Sequence, residues 1–235
     1  RQWLIALGIE QKLLPSTVIR QYTQARIGDL ETRQGFRAGR AQARDLREQV
    51  TAELLPRAFV KRSLIYAWID PVNRWLVVDA ASPAKAEEVL DHVKLTLGDL
   101  PLKSFRTCSS PAAAMTAWLA GKDAPAGFSI DRDCELRAAG LEKAVVRYVR
   151  HALDGKEVAE HIAAGKTVTR LGMTWRDRVS FMLTEQLHLK RLAFLDVLRE
   201  DSDQRMEAGD ALLEANFALM AGELAALLLD LAEAL

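Results

Sequence analysis

The chain contains few cysteines, histidines and aromatic residues. Only 2 cysteines, Cys108 and Cys134, occur among 235 residues, and they form no CxxC pair. Two thiols cannot cross-link a fold of this size, so we predict a reducing, cytoplasmic environment and treat both as small buried hydrophobes. The 4 histidines are scattered without the spacing of a metal site. We therefore expect no disulfide framework, no metal centre and no cofactor.

Motifs that mark enzyme active sites are also missing. The sequence contains no HExxH, no GxSxG and no GxGxxG after a predicted strand. Gly165-Lys166-Thr167 resembles the end of a phosphate-binding P-loop, but Glu160 stands where that motif requires its first glycine. The sequence therefore favours a protein that is not an enzyme. A nuclease or another phosphotransfer enzyme is the alternative, although no cluster of carboxylates lies near the basic residues.

No long uncharged stretch is present either. The most apolar segment, 217–235, is interrupted by Glu223, Asp230 and Glu233. A membrane-spanning helix needs about 20 nearly uncharged residues, so this segment predicts a helix that is buried or faces a partner, and no membrane association. Since the chain begins at Arg1 and its first predicted strand starts abruptly, we expect part of the first domain to lie upstream.

Segments of helical and strand periodicity succeed one another along the chain, which predicts an α+β fold. We expect antiparallel sheets with packed helices, a protruding helical hairpin and a long C-terminal helix. Predicted helices span 16–34, 40–54, 83–97, 111–119, 157–164 and 205–235, with Ser16 and Ser82 as N-caps. Predicted strands span 2–7, 59–69, 75–80, 128–131, 143–150, 167–175 and 179–183. The segment 187–194 fits a strand or a helix, and one long helix over 16–54 is the alternative to the hairpin.

These elements divide the sequence into four predicted parts. Residues 1–14 and 57–107 form a central α+β domain that is incomplete at its N-terminus, and residues 15–56 form the protruding hairpin. Residues 108–204 form a second α+β domain, and residues 205–235 form the C-terminal helix. Gly35 and Gly39 interrupt the helical pattern, and a glycine inside a helix costs roughly 1 kcal/mol relative to alanine. Two helices joined as a hairpin are therefore favoured over one long helix.

Charge is segregated although it sums to zero. Residues 1–62 hold 12 Lys or Arg and 6 Asp or Glu, a net charge of +6, whereas residues 195–235 hold 2 basic and 10 acidic residues, a net charge of −8. Such segregation indicates that the N-terminal part attracts an anionic partner.

A row of arginines carries most of the N-terminal charge. On one continuous helix its members would lie within an arc of about 80°, and they are Arg26, Arg33, Arg37, Arg40, Arg44 and Arg47. The planar guanidinium donates two bonds to phosphate and keeps its charge, so the row is typical of a surface that follows a nucleic-acid backbone. A solvated helix face with its arginines paired to nearby acids is the alternative. Since no base-reading motif accompanies the row, binding to phosphates would be independent of sequence.

The order of short motifs resembles the RdgC-type family of bacterial recombination-associated proteins. The resemblance spans the whole chain and rests on LLP at 13–15, LLPRAF at 54–59, WID at 68–70, VDAAS at 78–82, KAE at 85–87, HIAAGK at 161–166, VT at 168–169, LKRL at 189–192 and GELAAL at 222–227. It implies a homodimeric ring whose positively charged hole admits duplex DNA, and which hinders a RecA-type recombinase on DNA. It also implies that the first sixty or so residues of the family are absent here.

The resemblance assigns roles to particular residues. Phe59 lies in the block linked to contact between protomers, Lys166 is the lysine of the AGK block, and Arg150 lies where basic residues flank the hole. The candidate DNA-binding residues are Arg33, Arg37, Arg40, Arg44, Arg62, Arg150, Lys166 and Arg170. The resemblance leaves a second basic residue beside Arg150 in question, because Val149 stands there.

Simpler interpretations stay open for some of these residues. Phe59 fits an ordinary core aromatic of a strand, and Lys166 fits a solvated lysine after a helix. We expect a cytoplasmic, nucleoid-associated homodimer that binds double-stranded DNA and opposes a RecA-type recombinase. A protein-interaction adaptor that dimerises through its helices is the alternative.

Overall fold

The structure is a computed structural model that describes residues 2–98, 100–140, 144–195 and 210–235. The chain separates into two compact units. The hairpin unit comprises Trp3–Ile69 and Leu76–Leu100, and the core unit comprises Arg1–Gln2, Asp70–Trp75 and Pro101–Leu235. The four-part division stays a prediction.

The hairpin unit combines a three-stranded sheet with three helices. Its elements are β1 (Trp3–Leu13), α1 (Ser16–Gln34), α2 (Arg40–Leu54), a 3-10 turn (Leu55–Arg57), β2 (Phe59–Asp70), β3 (Trp75–Asp79) and α3 (Pro83–Leu97). The sheet order is β1-β2-β3, and β1 pairs antiparallel to β2 from Trp3 opposite Ile69 to Leu13 opposite Phe59. Its small core is formed by Ile65, Ala67, Val89 and Val93.

Two helices, not one, form the hairpin. Gly35 ends α1 with a φ of 76°, a left-handed conformation that glycine adopts without strain. The predicted N-cap at Ser82 is confirmed, since its side chain accepts a bond from the Lys85 amide. The predicted N-cap at Ser16 is wrong: Ser16 is already helical, and Pro15 occupies the cap without a side-chain bond.

The core unit packs helices against a five-stranded antiparallel sheet of order β5-β4-β6-β7-β8. Its elements are α4 (Pro111–Gly121), β4 (Phe128–Ala138), β5 (Val145–Tyr148), α5 (Lys156–Ala163), β6 (Lys166–Trp175), β7 (Val179–Thr184), β8 (Leu189–Phe194) and α6 (Asp210–Ala234). One face of the sheet forms the main core together with side chains from α4, α5 and α6. We call it the helix-covered face and the other the polar face.

The α+β class is confirmed, while several element boundaries differ from the predictions. β1 extends to Leu13, and β4 continues to Ala138, beyond the predicted end at Asp131. The charged residues 131–133 resemble a turn, but they lie within the continuing strand, at an irregularity in its pairing with β6 between Ile130 and Cys134. The ambiguous segment 187–194 contains strand β8. Of the predicted helix 205–235, residues 205–209 lie outside the described residues.

Helix α6 is a core helix of the core unit. By length and composition the segment Glu214–Ala234 is apolar enough to cross a membrane, with a mean hydropathy of 1.5. Its charged side chains, however, bond to the sheet: Asp230 Oδ2 accepts from Trp175 Nε1 at 2.8 Å, and Glu223 Oε1 lies 2.6 Å from Arg178 Nη1. Leu227 and Leu231 are buried in the core. The helix therefore packs within this unit through both its apolar and its charged residues.

A buried carboxylate organises the turn between β2 and β3. Asp70 is 1% exposed and accepts bonds from the Gln2 side chain, the Val72 amide, and both the amide and the side chain of Asn73. Burial raises the pKa of Asp70, but the bonds from Asn73, Val72 and Gln2 outweigh it and hold the pKa below its ordinary value. The ionised carboxylate therefore stabilises the folded turn.

Replacing Asp70 is expected to make stability less dependent on acid pH. Because its pKa is lower in the folded state, its contribution is present above the unfolded-state value and is lost as pH falls through the folded-state value. Asp70→Asn should reduce the free energy of unfolding by about 1–3 kcal/mol at pH 7, with a smaller difference from wild type below about pH 4. Urea unfolding at both pH values measures this, with the exposed Asp79→Asn as control. A difference that stays constant with pH would contradict the assignment.

Candidate nucleic-acid interface

Glutamine and glutamate side chains brace the tip of the α1–α2 hairpin. Farther from the tip, Arg26 Nη2 lies 2.9 Å from Glu53 Oε2 and links the two helices. At the tip, three side-chain bonds fix the backbone: Gln34 Nε2 donates to the Phe36 carbonyl, the Ala38 amide to Glu31 Oε1, and the Gly39 amide to Gln42 Oε1. A fourth bond joins two side chains, from Gln42 Nε2 to Gln34 Oε1. The tip is therefore held without using its arginines.

The arginines of the tip are exposed and incompletely paired. The stretch from Arg33 to Arg44 contains 4 arginines and no Asp or Glu. Arg44 Nε lies 3.1 Å from Glu48 Oε1 on the same helix. Arg33, Arg37 and Arg40 form no ion pair with any residue in the described part of the chain. The interpretation of a solvated, acid-paired helix face thus holds for Arg26 and Arg44 but not for these three.

Strand β2 carries two further candidates, Arg62 and Phe59. Arg62 Nε lies 2.7 Å from Glu10 Oε1 on β1, but both side chains are largely exposed. An exposed pair of this kind is worth at most about 1 kcal/mol, so a phosphate can displace the carboxylate. Phe59 is 85% exposed, opposite an exposed Leu13. The interpretation of Phe59 as a core aromatic is therefore wrong.

Arg150 and Lys166 occupy separate places in the core unit. Arg150 follows β5 with a left-handed φ of 52°, and its amide donates to Asp133 Oδ1 at 2.7 Å. Lys166 opens β6 opposite Ala138, and its partly buried side chain places Nζ 3.0 Å from His161 Nδ1 on α5. The alternative of a freely solvated lysine does not fit this contact. Asp133 and Ala138, which mark the two places, are five steps apart along β4, a distance of roughly 16 Å.

A β-bulge places Arg170 on the opposite face from Lys166. β4 pairs with β6 at Leu136 opposite Val168 and at Glu135 opposite Arg170, so Thr169 is the extra residue. Lys166 lies two residues before the buried Val168, so both side chains point to the helix-covered face. Arg170 shares the side of Glu135 and lies on the polar face. Within this unit the structure therefore does not bring Arg150, Lys166 and Arg170 into one cluster.

The structure reveals a cluster on the polar face that sequence reasoning missed. Glu135 is 3% exposed, and its carboxylate is surrounded by cations and a hydroxyl. Thr169 Oγ1 donates to Oε1 at 2.8 Å and Arg137 Nη2 to Oε1 at 3.3 Å, while Arg147 Nε donates to Oε2 at 2.7 Å and Arg170 Nη1 lies 3.7 Å from Oε2. The alternation of Glu135 and Arg137 is visible in the sequence. The register that adds Arg147 and Arg170 is not.

The surroundings of Glu135 favour its charged form. Burial raises the pKa of this carboxyl, but the hydrogen bonds from Thr169 and Arg147 and the charges of Arg170 and Arg147 hold the pKa below its ordinary value. The cluster therefore contains a carboxylate anion at neutral pH, with three arginines around it.

Among the described residues, neither thiol belongs to a group that could hold a metal ion. Burial, with the nearby charge of Asp133, raises the pKa of the Cys134 thiol to about 12. Cys134 is therefore a protonated, buried hydrophobe as predicted, whereas the prediction is wrong for Cys108, which is exposed. In residues 2–98, 100–140, 144–195 and 210–235, no three His, Cys, Asp or Glu side chains are grouped so that they could hold a metal ion.

Comparison with known proteins identifies the family. A family model described as "Putative exonuclease, RdgC" matches residues 1–235. The recombination-associated protein RdgC of Dechloromonas aromatica is 54% identical over 238 residues, which cover 100% of this chain and 78% of that protein. Those of Herminiimonas arsenicoxydans and Cupriavidus pinatubonensis are 50% and 52% identical, and the match again covers 100% of this chain with 78% and 79% of theirs. This chain belongs to the RdgC family, whose shared name supports a role in recombination.

Proposed function

We propose that this chain binds double-stranded DNA without regard to sequence, as a homodimeric ring that restrains a RecA-type recombinase. The observation that supports DNA binding best is the hairpin tip, where Arg33, Arg37 and Arg40 are exposed and have no carboxylate partner in the described part of the chain. Guanidinium groups held in this way displace the counterions of a nucleic-acid backbone. The protein acts in the cytoplasm, associated with the nucleoid, and makes or breaks no bond.

The tip supports contact with phosphates more than with bases. Asn and Gln side chains read adenine through a free amide group. At the tip the amides of Gln34 and Gln42 are already used for bonds to the hairpin itself. The remaining donors are arginines on an exposed surface. Their guanidinium groups bind phosphates of any sequence, and binding to unrelated duplexes tests whether they also read guanine.

Removal of the three unpaired arginines is expected to reduce the salt dependence of duplex binding. Each phosphate that these side chains no longer neutralise should lower the slope of log affinity against log salt by about 0.9, so Arg33→Gln/Arg37→Gln/Arg40→Gln should lower it by about 3 in all. Fluorescence anisotropy with two unrelated duplexes over a range of salt concentrations measures the slope and tests sequence independence.

The matched control removes two cations that already have partners. Lys85 and Lys94 lie on α3, near Glu88 and Asp91 respectively. Lys85→Gln/Lys94→Gln should change the slope by much less than the hairpin variant. If wild-type protein binds no duplex even at low salt, the adaptor alternative is favoured and the proposed function is wrong.

Phe59 supports the dimer because a large apolar side chain at the start of β2 is exposed. Leu13, opposite it, and the adjoining Val60 are also exposed. Water-exposed apolar groups of this kind gain free energy when a second protein surface covers them. We infer that the partner is a second copy of the chain.

Phe59→Ser is expected to weaken dimerisation without loss of protomer stability. The side chain is 85% exposed, so its removal leaves no cavity in the protomer. Sedimentation velocity over a concentration series should show more monomer than wild type, while thermal unfolding of the monomer stays unchanged. Val72→Ser, another exposed apolar residue, serves as control. An intact dimer in the Phe59 variant would exclude this residue from the interface.

A closed ring explains how binding alone would restrain a recombinase. A protein that surrounds the duplex occupies its phosphates and excludes a filament from the same segment. Strand-exchange assays with a purified RecA-type recombinase should show inhibition by wild-type protein that decreases with the hairpin variant. Equal inhibition by both would indicate that restraint does not depend on DNA binding through the tip.

The description of the family model supports one alternative, exonuclease activity. Incubation of end-labelled duplex with the protein and Mg²⁺ tests it directly. Under the function proposed here the duplex stays full length, while progressive shortening by purified protein would favour the exonuclease.

A further inference from the structure

We infer that Arg147 and Arg170 on the polar face of the core unit form a phosphate-binding site for a nucleic-acid backbone, and that buried Glu135 positions them. This inference rests on the proposed function and adds a second binding surface, far along the chain from the hairpin. Neither Arg147 nor Glu135 is among the candidate DNA-binding residues named from the sequence.

The register of the sheet brings the two arginines together. Arg147 on β5 and Arg170 on β6 are the direct cross-strand neighbours of Glu135 on β4. In an antiparallel sheet, directly opposite side chains lie on one face and about 5 Å apart at Cβ. Both guanidinium groups therefore converge on the same carboxylate oxygen, Oε2, at 2.7 and 3.7 Å.

The bonds of Glu135 leave donors available for a ligand. Arg147 reaches the carboxylate through Nε, and its side chain is 64% exposed. In the described residues its two terminal nitrogens have no hydrogen-bond partner. Arg170 lies beyond hydrogen-bond distance of Oε2, so its guanidinium is held by charge alone and its donors stay available. Such paired guanidinium forks match the oxygen geometry of a phosphate.

The local charge favours an anion although a carboxylate is present. Three arginines, Arg137, Arg147 and Arg170, surround two carboxylates, Glu135 and Glu185, which gives a net charge of +1. The Glu135 carboxylate lies beneath the arginines and is 3% exposed, so a ligand approaches the guanidinium groups first. This buried carboxylate accepts three hydrogen bonds, from Thr169 and Arg137 on Oε1 and from Arg147 on Oε2, and it acts as an anchor.

Arg147→Gln/Arg170→Gln is expected to lower the salt slope of duplex binding. The decrease should be about 1 if the two arginines share one phosphate. The side chains of Arg147 and Arg170 are 64% and 44% exposed. Circular dichroism checks that the variant keeps its fold, because the buried Glu135 loses two of its partners. The same titration with inorganic phosphate in place of chloride at equal ionic strength distinguishes the source of the ligand. If phosphate competes at this site but the double variant keeps the wild-type salt slope for duplex, the site binds free phosphate, and the assignment to a nucleic-acid backbone is overturned.

Glu135→Gln tests the positioning role by the sign of its effect. This substitution removes a negative charge, so electrostatics alone predicts tighter DNA binding. Loss of the anchor frees two arginine side chains, which should instead weaken binding roughly threefold to tenfold. Glu185→Gln removes an equal charge but touches only Arg137 of the three arginines, and should bind as tightly as wild type or more tightly. Tighter binding by Glu135→Gln would overturn the positioning role.

A second variant keeps the test valid if Glu135→Gln fails to fold. Arg147→Lys keeps the charge but lacks the Nε donor, so affinity should decrease with little change in salt slope. Arg132→Lys on β4 is the matched control and should leave affinity unchanged. If wild type binds duplex and the hairpin variant weakens it while the substitutions at Arg147 and Arg170 have no effect, this inference is wrong and the proposed function stands. If wild type binds no duplex, both are wrong.

Discussion

The pairing of β4 with β6 is the constraint on which the surface of the core unit depends. A single extra residue at Thr169 shifts the alternation of side chains along β6. Lys166 therefore lies on the helix-covered face and Arg170 on the polar face. Without the bulge, the alternation of a strand would place both on one side. The same bulge lets Thr169 reach Glu135, and so the buried carboxylate and its arginines depend on one local irregularity.

The two units hold cations in different ways. In the hairpin unit, glutamine and glutamate side chains near the tip bond to its backbone and leave three arginines without a carboxylate partner in the described part of the chain. In the core unit, Glu135 binds the arginines themselves and fixes their direction. The first arrangement maximises the positive charge that attracts a polyanion. The second gives up part of that charge to hold the donors in place.

Under the proposed function, association with DNA through either arrangement would require no catalytic group. The free energy of such binding comes from released counterions and from guanidinium bonds to phosphate. A role in recombination fits this type of surface, since recombination involves DNA of many different sequences. The charge of −8 over residues 195–235 would disfavour contact between that part of the chain and DNA.

The sequence alone determined the α+β class, both hairpin helices, the Ser82 cap and the family, because these follow from local periodicity, turn chemistry and short motifs. It predicted too early an end for β4, because Asp131, Arg132 and Asp133 resemble a turn. Only pairing with a neighbouring strand shows that β4 continues through them. Ser16 was misassigned as a cap because Pro15 takes that position. Only the tertiary structure showed that Phe59 is exposed and that Arg147, Glu135 and Arg170 form one row. Pairs between strands depend on register, which is set by long-range hydrogen bonds and a bulge, and no local pattern contains that information.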